Sequence, residues 1–298
     1  MFSRSTWLHL RIPFSYFLLP VYLFALAISP NLEESRLLWS FVIIHFFLYP
    51  ASNGYNSYFD KDEQSIGGLK NPPPVEKGLY LTALLFDIIA IGLAVVMINT
   101  LFAVMLLIYG LISKAYSHPL IRLKKYPIGG WLAAGLFQGF FTFLMSYVAI
   151  NNFELENLLV ARVLVPASLT SIMLWGNYPM TQVYQHEEDA RHGDRTMSLL
   201  LGIRGTFTFV LVVFILASAG FVTYFEVFYS LRFAVAFLTF LGPVVLFFLN
   251  WFYRVWREAG KANFQNTMWL NFISATCLNT FFIYFFMATS HIANYLSP

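Results

Sequence analysis

The stretch "FVIIHFFLYPASNGYNSYFDKDEQSIGG", residues 41–68, decides the fold. It begins as an apolar run, turns polar from Ser52, and ends in an acidic cluster of Asp60, Asp62 and Glu63. On a helix, residues three or four apart share a face. If the helix continues to the end of the acidic cluster, Tyr49, Asn53, Asn56, Asp60 and Gln64 form one polar stripe, and His45 extends it deeper. A polar stripe on an otherwise apolar helix belongs in a bundle interior or an aqueous cavity, because lipid offers it no hydrogen-bond partner.

The composition supports that setting. Of 298 residues, 58% are hydrophobic and 11% charged, with a mean hydropathy of +0.65. Soluble domains carry about 25% charged residues, so this chain cannot clothe itself in a hydrated surface and is expected to be integral to a membrane. A single cysteine, Cys277, excludes an intramolecular disulfide. No nucleic-acid module is present, and residues 1–298 read as one unit. The first apolar run, 7–29, contains the signal-like Ala25-Leu26-Ala27, but its length and Pro13 and Pro20 favour a retained helix.

A spanning helix needs roughly 20 mostly apolar residues. Such runs lie at 7–29, 37–59, 78–98, 101–115, 129–150, 159–185, 205–226, 230–253 and 267–290. The expected fold is an all-α polytopic bundle of nine transmembrane helices. With the N-terminus inside, fifteen of the 18 Lys and Arg face the cytoplasm, leaving only Arg36, Arg162 and Arg232 outside. The positive-inside rule therefore places the N-terminus and the polar loops in the cytoplasm and the C-terminus on the opposite side.

A second acidic end, Glu187, Glu188, Asp189 and Asp194, follows the sixth run. Its helical stripe is Tyr178, Thr181 or Gln182, Gln185 and Asp189. Carboxylates oppose the macrodipole at a helix C-terminus, so two such ends on one membrane face suggest a site for a cation. Magnesium suits them, because it takes a few carboxylates and completes its shell with water and phosphate oxygens. The loop "KAYSHPLIRLKKYP", 114–127, lies on the same face and is rich in Lys and Arg, which hold phosphate oxygens well. Taken singly, each stretch is most often a solvated or lipid-contacting loop, and His45 a satisfied interior histidine. Together they describe a site for a lipid with a phosphorylated head.

These stretches resemble the UbiA superfamily of intramembrane prenyltransferases. "NSYFDKDEQ" matches the motif N-D-x-x-D-x-x-x-D at Asn56 and Asp60. "QHEEDARHGDRT" is similar to D-x-x-x-D with its following Gly and basic-Thr pair, at Asp189, Gly193, Arg195 and Thr196. Between them, "YSHPLIRLKK" resembles Y-S-x-P-P-x-R-x-K-R at Tyr116, Ser117, Pro119, Arg122, Lys124 and Lys125, and Arg11 stands near the arginine usual in the family's first helix. The resemblance implies a bundle around a lipid-accessible cavity and a magnesium-dependent transfer of a polyprenyl group from its diphosphate to a lipophilic acceptor, an aromatic or quinone-precursor ring. Asn56, Asp60 and Asp189 would be catalytic and bind the metal, with Gln64 and Gln185 as further ligands. Arg11, Lys61, Lys114, Tyr116, Arg122, Lys124, Lys125 and Arg195 would serve the diphosphate. His45, Tyr49, Asn53, Tyr178 and Gln182 are candidate cavity-lining residues, and membrane lipid is a further partner.

Gln64 and Gln185 stand where the family carries aspartates, and Ser57 replaces the Asp that often follows the Asn. An amide oxygen can ligate magnesium but brings no charge; Glu63, Glu187 and Glu188 are the residues that could compensate. A terpene cyclase, a sugar-phosphate transferase acting on a polyprenyl carrier, a lapsed lipid-binding protein and a transporter remain alternative readings.

Overall fold

The computed structural model describes residues 3–290. Among the described residues the chain is helical without a strand; the one β-bridge, between Ile66 and Leu69, closes a turn. The helices are α1 Arg4–Leu10, α2 Leu19–Ala27, α3 Glu34–Val42, α4 Tyr49–Asp60, α5 Gly78–Met97, α6 Thr100–Ser117, α7 Pro127–Gly135, α8 Thr142–Asn151, α9 Ala161–Asn177, α10 His186–Arg191, α11 Met197–Phe228, α12 Leu231–Arg257 and α13 Phe264–Thr289.

Two pairs are joined through π turns into longer spans. Ile43–Leu48 links α3 to α4, and Leu136–Phe141 links α7 to α8. Seven of these continuous helices are long and apolar enough to cross a membrane, and the bent pair Arg4–Phe17 and Leu19–Ala27 makes an eighth. The bend, 42°, falls at Leu18, where Pro20 in the first turn of α2 cannot donate to a continuing helix; an earlier break, at the left-handed Arg11 (φ 48°) before Pro13, separates α1 from the 3-10 turn Ile12–Phe17. The sixth expected span, 159–185, divides: α9 stops at Asn177 after 17 residues, a 3-10 turn covers Tyr178–Thr181, and α10 begins at His186. Pro179 in that turn cannot donate to a continuing helix. The second span likewise ends at Asp60, because Lys61 is left-handed (φ 52°). Gln64 therefore does not extend the stripe from Asp60.

Inside the bundle, α2 lies against α8 and α13, while α9 packs between the π turn 136–141 and α11. Small residues and polar bonds set these distances, as lipid tails give helices no hydrophobic reason to associate. Gly139 allows the backbone of Ser171 to approach so closely that a Cβ would stand 2.6 Å from the Ser171 Cα. Ser171 Oγ then donates to the Gly135 carbonyl (2.9 Å) and accepts from the Phe140 N–H (2.8 Å), satisfying groups that the π turn frees. Towards the other end of the bundle, Phe24 stacks on Phe282 (4.5 Å between centroids), and Phe225, Phe237, Phe281 and Phe285 interlock around them. This aromatic wedge closes that end and leaves the polar site at the end carrying the acidic turns.

Candidate active site

The two helix breaks turn both acidic segments into one cavity of about 250 Å³. Its wall includes Asn56 and Asp60 of α4 with Asp62 just beyond it, and Tyr178, Thr181, Gln182, Gln185 and Asp189 from the segment after α9. Arg11, Asn53, Tyr116 and Lys124 also line it. A second chamber of about 100 Å³ shares Asn53, Gln138, Tyr178 and Thr181 with the first and adds Tyr49, Leu174, Asn177 and Asn271. Beyond it lies an apolar slot bounded by Phe214, Phe221, Leu278 and Phe282, again touching Asn177 and Asn271. A charged end thus leads through amides to hydrocarbon.

The two acidic segments are bonded to each other. The backbone N–H groups of Glu63 and Gln64 donate to the buried Glu188 carboxylate (2.7 and 3.2 Å), and Gln185 Nε2 donates to the Ser65 carbonyl (3.3 Å). Asn56 Nδ2 donates to Asp60 Oδ2 (2.6 Å) and Ser117 Oγ (2.9 Å), fixing its amide beside the carboxylate. The hydroxyls of Tyr116 and Tyr178 are paired, holding α6 to the turn after α9.

The basic loop caps this frame through Asp194, which is buried. Arg122 donates to Asp194 through both Nε (2.8 Å) and Nη2 (2.9 Å), while its Nη1 lies 3.3 Å from Asp60. Lys124 Nζ bridges Asp60 (2.7 Å) and Asp194 (3.1 Å). A backbone bond from Arg195 N–H to the Lys125 carbonyl (3.2 Å) ties the same two loops. Burial alone would raise the pKa of Asp194, but the Arg122 fork and the Lys124 charge outweigh it and hold the carboxyl below its usual value. Burial opposes the charge on Arg122 and Lys124 as well, but the bond to Asp194 and the field of Asp60, respectively, are the chief influences that outweigh it, leaving both groups more basic than usual.

Asp62 and Asp189 have no such partners. Burial, reinforced by Asp60, pushes Asp62 up to about 6. Burial pushes Asp189 up to about 7 against the lowering influence of Lys124; its hydrogen bond comes from Thr196 Oγ1 (3.2 Å). The lining therefore holds carboxylates that the protein's own cations do not neutralise, with the amides of Asn56 and Gln185 beside them. That oxygen-donor set fits magnesium, which keeps several ligand positions for water and phosphate. Among the described residues no three Asp, Glu, His or Cys side chains lie close enough to hold a metal alone, so a bound cation would need ligand oxygens as well.

Other expected site residues lie elsewhere. Gln64 is absent from the lining. Lys114 pairs with Asp87 and sits over the Tyr55 ring, Lys125 sits over Tyr126 (4.9 Å), and Lys61 and Arg195 are exposed and absent from the lining. His45 is enclosed by Tyr22, Phe41 and Tyr49, outside both chambers. Of the three glutamates offered as compensation, Glu63 and Glu187 are exposed and Glu188 is occupied by backbone N–H groups; none lines the cavity. The motifs do not mark Asp62, which the structure places in the lining, or Asp194, which it places beneath the basic loop. Both stood in the acidic clusters, but a straight helix from Asn56 to Gln64 turns residue 62 off the stripe.

The sequence fits the UbiA prenyltransferase family over residues 17–273. The chain belongs to that family. A UbiA homolog from Archaeoglobus fulgidus bound to GPP and Mg2+ is similar in structure, with a TM-score of 0.68 at 16% identity over 95% of this chain and 99% of that one. An apo UbiA homolog from Aeropyrum pernix K1 gives 0.70 at 18% identity, over 91% and 98%. A structure of digeranylgeranylglyceryl phosphate synthase gives 0.59 at 20%, over 93% and 96%. At these identities the likeness speaks for the fold. No curated protein matches the sequence.

Proposed function

We propose that this UbiA-family protein is a magnesium-dependent intramembrane prenyltransferase that moves a polyprenyl group from its diphosphate to a lipophilic acceptor. The observation that carries the reading is the convergence of both acidic turns and the basic loop on one cavity that continues into an apolar slot. The diphosphate fits the charged end and the prenyl tail the hydrocarbon end. The relatives bound to GPP or DMAPP with Mg2+ support the same class of donor.

Asn56, Asp60, Gln185 and Asp189 would hold the magnesium, which when bound neutralises charge on the leaving diphosphate. Arg11, Tyr116, Tyr178 and Lys124 face the same space and supply N–H and O–H donors to phosphate oxygens. Scission of the allylic C–O bond releases diphosphate; the acceptor forms the new bond to the allylic carbon and gives up a proton. The apolar wall keeps water from that carbon. Gln138, Asn177 and Asn271 in the middle chamber offer amides to a polar ring, consistent with an aromatic or quinone-precursor acceptor. The excess of Lys and Arg at this end supports a cytoplasmic orientation for the site and the N-terminus.

The test is binding of geranylgeranyl diphosphate to the purified protein with magnesium and with EDTA. Binding that requires magnesium is expected; absence of binding in both, in folded protein, removes the reading.

A further inference from the structure

We infer that Asp62 is the third carboxylate of the magnesium–diphosphate site and supplies there the charge that Gln64 lacks. The inference rests on the function proposed above and adds a ligand at a position the motif does not mark.

The backbone makes the exchange possible. On a continuing helix, residue 64 would lie four past Asp60 on the same face, and residue 62 about 200° away. The helix ends instead at Asp60, and the left-handed Lys61 reverses the chain. Asp62 thereby enters the lining with Asn56, Asp60, Gln185 and Asp189. The N–H groups of Glu63 and Gln64 then reach Glu188, and neither of these two residues enters the lining.

Asp62 is also the available acid. Its side chain is 13% exposed, and its only ion-pair contact among the described residues is His192 Nδ1 at 3.8 Å. Asp194, by contrast, is taken by Arg122 and Lys124. A carboxylate enclosed beside Asp60 and Asp189, with no lysine or arginine bound to it, is suited to a divalent cation shared with phosphate oxygens.

The test uses the full chain in lipid nanodiscs with Mn2+, which accepts the same oxygen ligands, and geranylgeranyl thiolodiphosphate as a donor analogue that resists cleavage. Bound Mn2+ is read from the loss of the free-ion electron paramagnetic resonance signal. Asp62→Asn should weaken Mn2+ binding at least about tenfold, since losing even a residue that only orients a ligand costs about 10–100-fold, whereas Gln64→Asp leaves it unchanged. Asp62→Glu should recover part of the loss, which a merely structural contact with His192 would not require. Should Asp62→Asn fail to fold, Gln64→Asp decides: tighter Mn2+ binding there overturns the inference. Wild-type binding with no change in Asp62→Asn overturns it too, leaving the proposed function intact. Failure of the wild type to bind Mn2+ with the analogue removes the proposed function itself.

Discussion

Asp194→Asn is the most informative perturbation of the loop that caps the site. Asp194 accepts a two-pronged bond from Arg122 and a contact from Lys124 while being 1% exposed itself. Removing one partner of a buried ion pair costs about 3–5 kcal/mol because the other charge is stranded. Here the stranding is incomplete. Both cations also reach Asp60, at 3.3 and 2.7 Å, and their side chains keep 16% and 10% exposure to water. A loss near 2 kcal/mol is the reasonable figure, and since each 1.4 kcal/mol is a factor of ten, loop opening should become about 30-fold more frequent. Trypsin cuts after Arg122, Lys124 and Lys125, and when reclosing outpaces cleavage its rate follows the open population. Limited proteolysis should therefore show cleavage at these residues accelerated by a factor of about 30. A rise below about threefold in protein of unchanged circular dichroism would refute the reasoning, meaning that Asp60 alone secures the loop.

Asp60→Ala and Asp189→Ala should each lower prenyl transfer at least about a hundredfold, read as pyrophosphate release from detergent-purified protein that keeps its helical content. In ligand-free protein, Asp62 and Asp189 carry folded-state pKa values raised to about 6 and about 7 from 3.8. Their ionisation opposes folding, so thermal stability should rise as pH falls from 8 towards 4, by at most about 1.4 kcal/mol per pH unit for each titrating group. Asp189→Asn should flatten the upper part of that curve in scanning fluorimetry, and magnesium affinity should fall over the same range as protons compete. Gly139→Ala places a methyl against the Ser171 backbone; a loss of about 1–3 kcal/mol is expected from overpacking, measurable as a lowered denaturation midpoint.

Most of the architecture was legible in one dimension. Apolar run lengths locate the spanning helices because each must satisfy its own backbone in lipid, and the runs at 78–98 and 230–253 agree with α5 and α12 to within a few residues. Asn56, Asp60, Gln185 and Asp189 were recognisable because polar groups in an apolar chain need a reason to be there, and all four line the cavity. Stripes drawn on straight helices were less dependable. His45 shares the face of Tyr49, yet a π turn and an aromatic cage place it outside the chambers.

What the sequence determined by itself is the membrane setting, the family and the two acidic ends, since composition, run length and motif order need no coordinates. Tertiary structure decided which acids face one another. The left-handed Lys61 and the break after Asn177 exchange Gln64 for Asp62 in the lining, and the basic loop commits Asp194 to Arg122 and Lys124. Helical periodicity assumes an unbroken backbone, and this site lies where the backbone breaks.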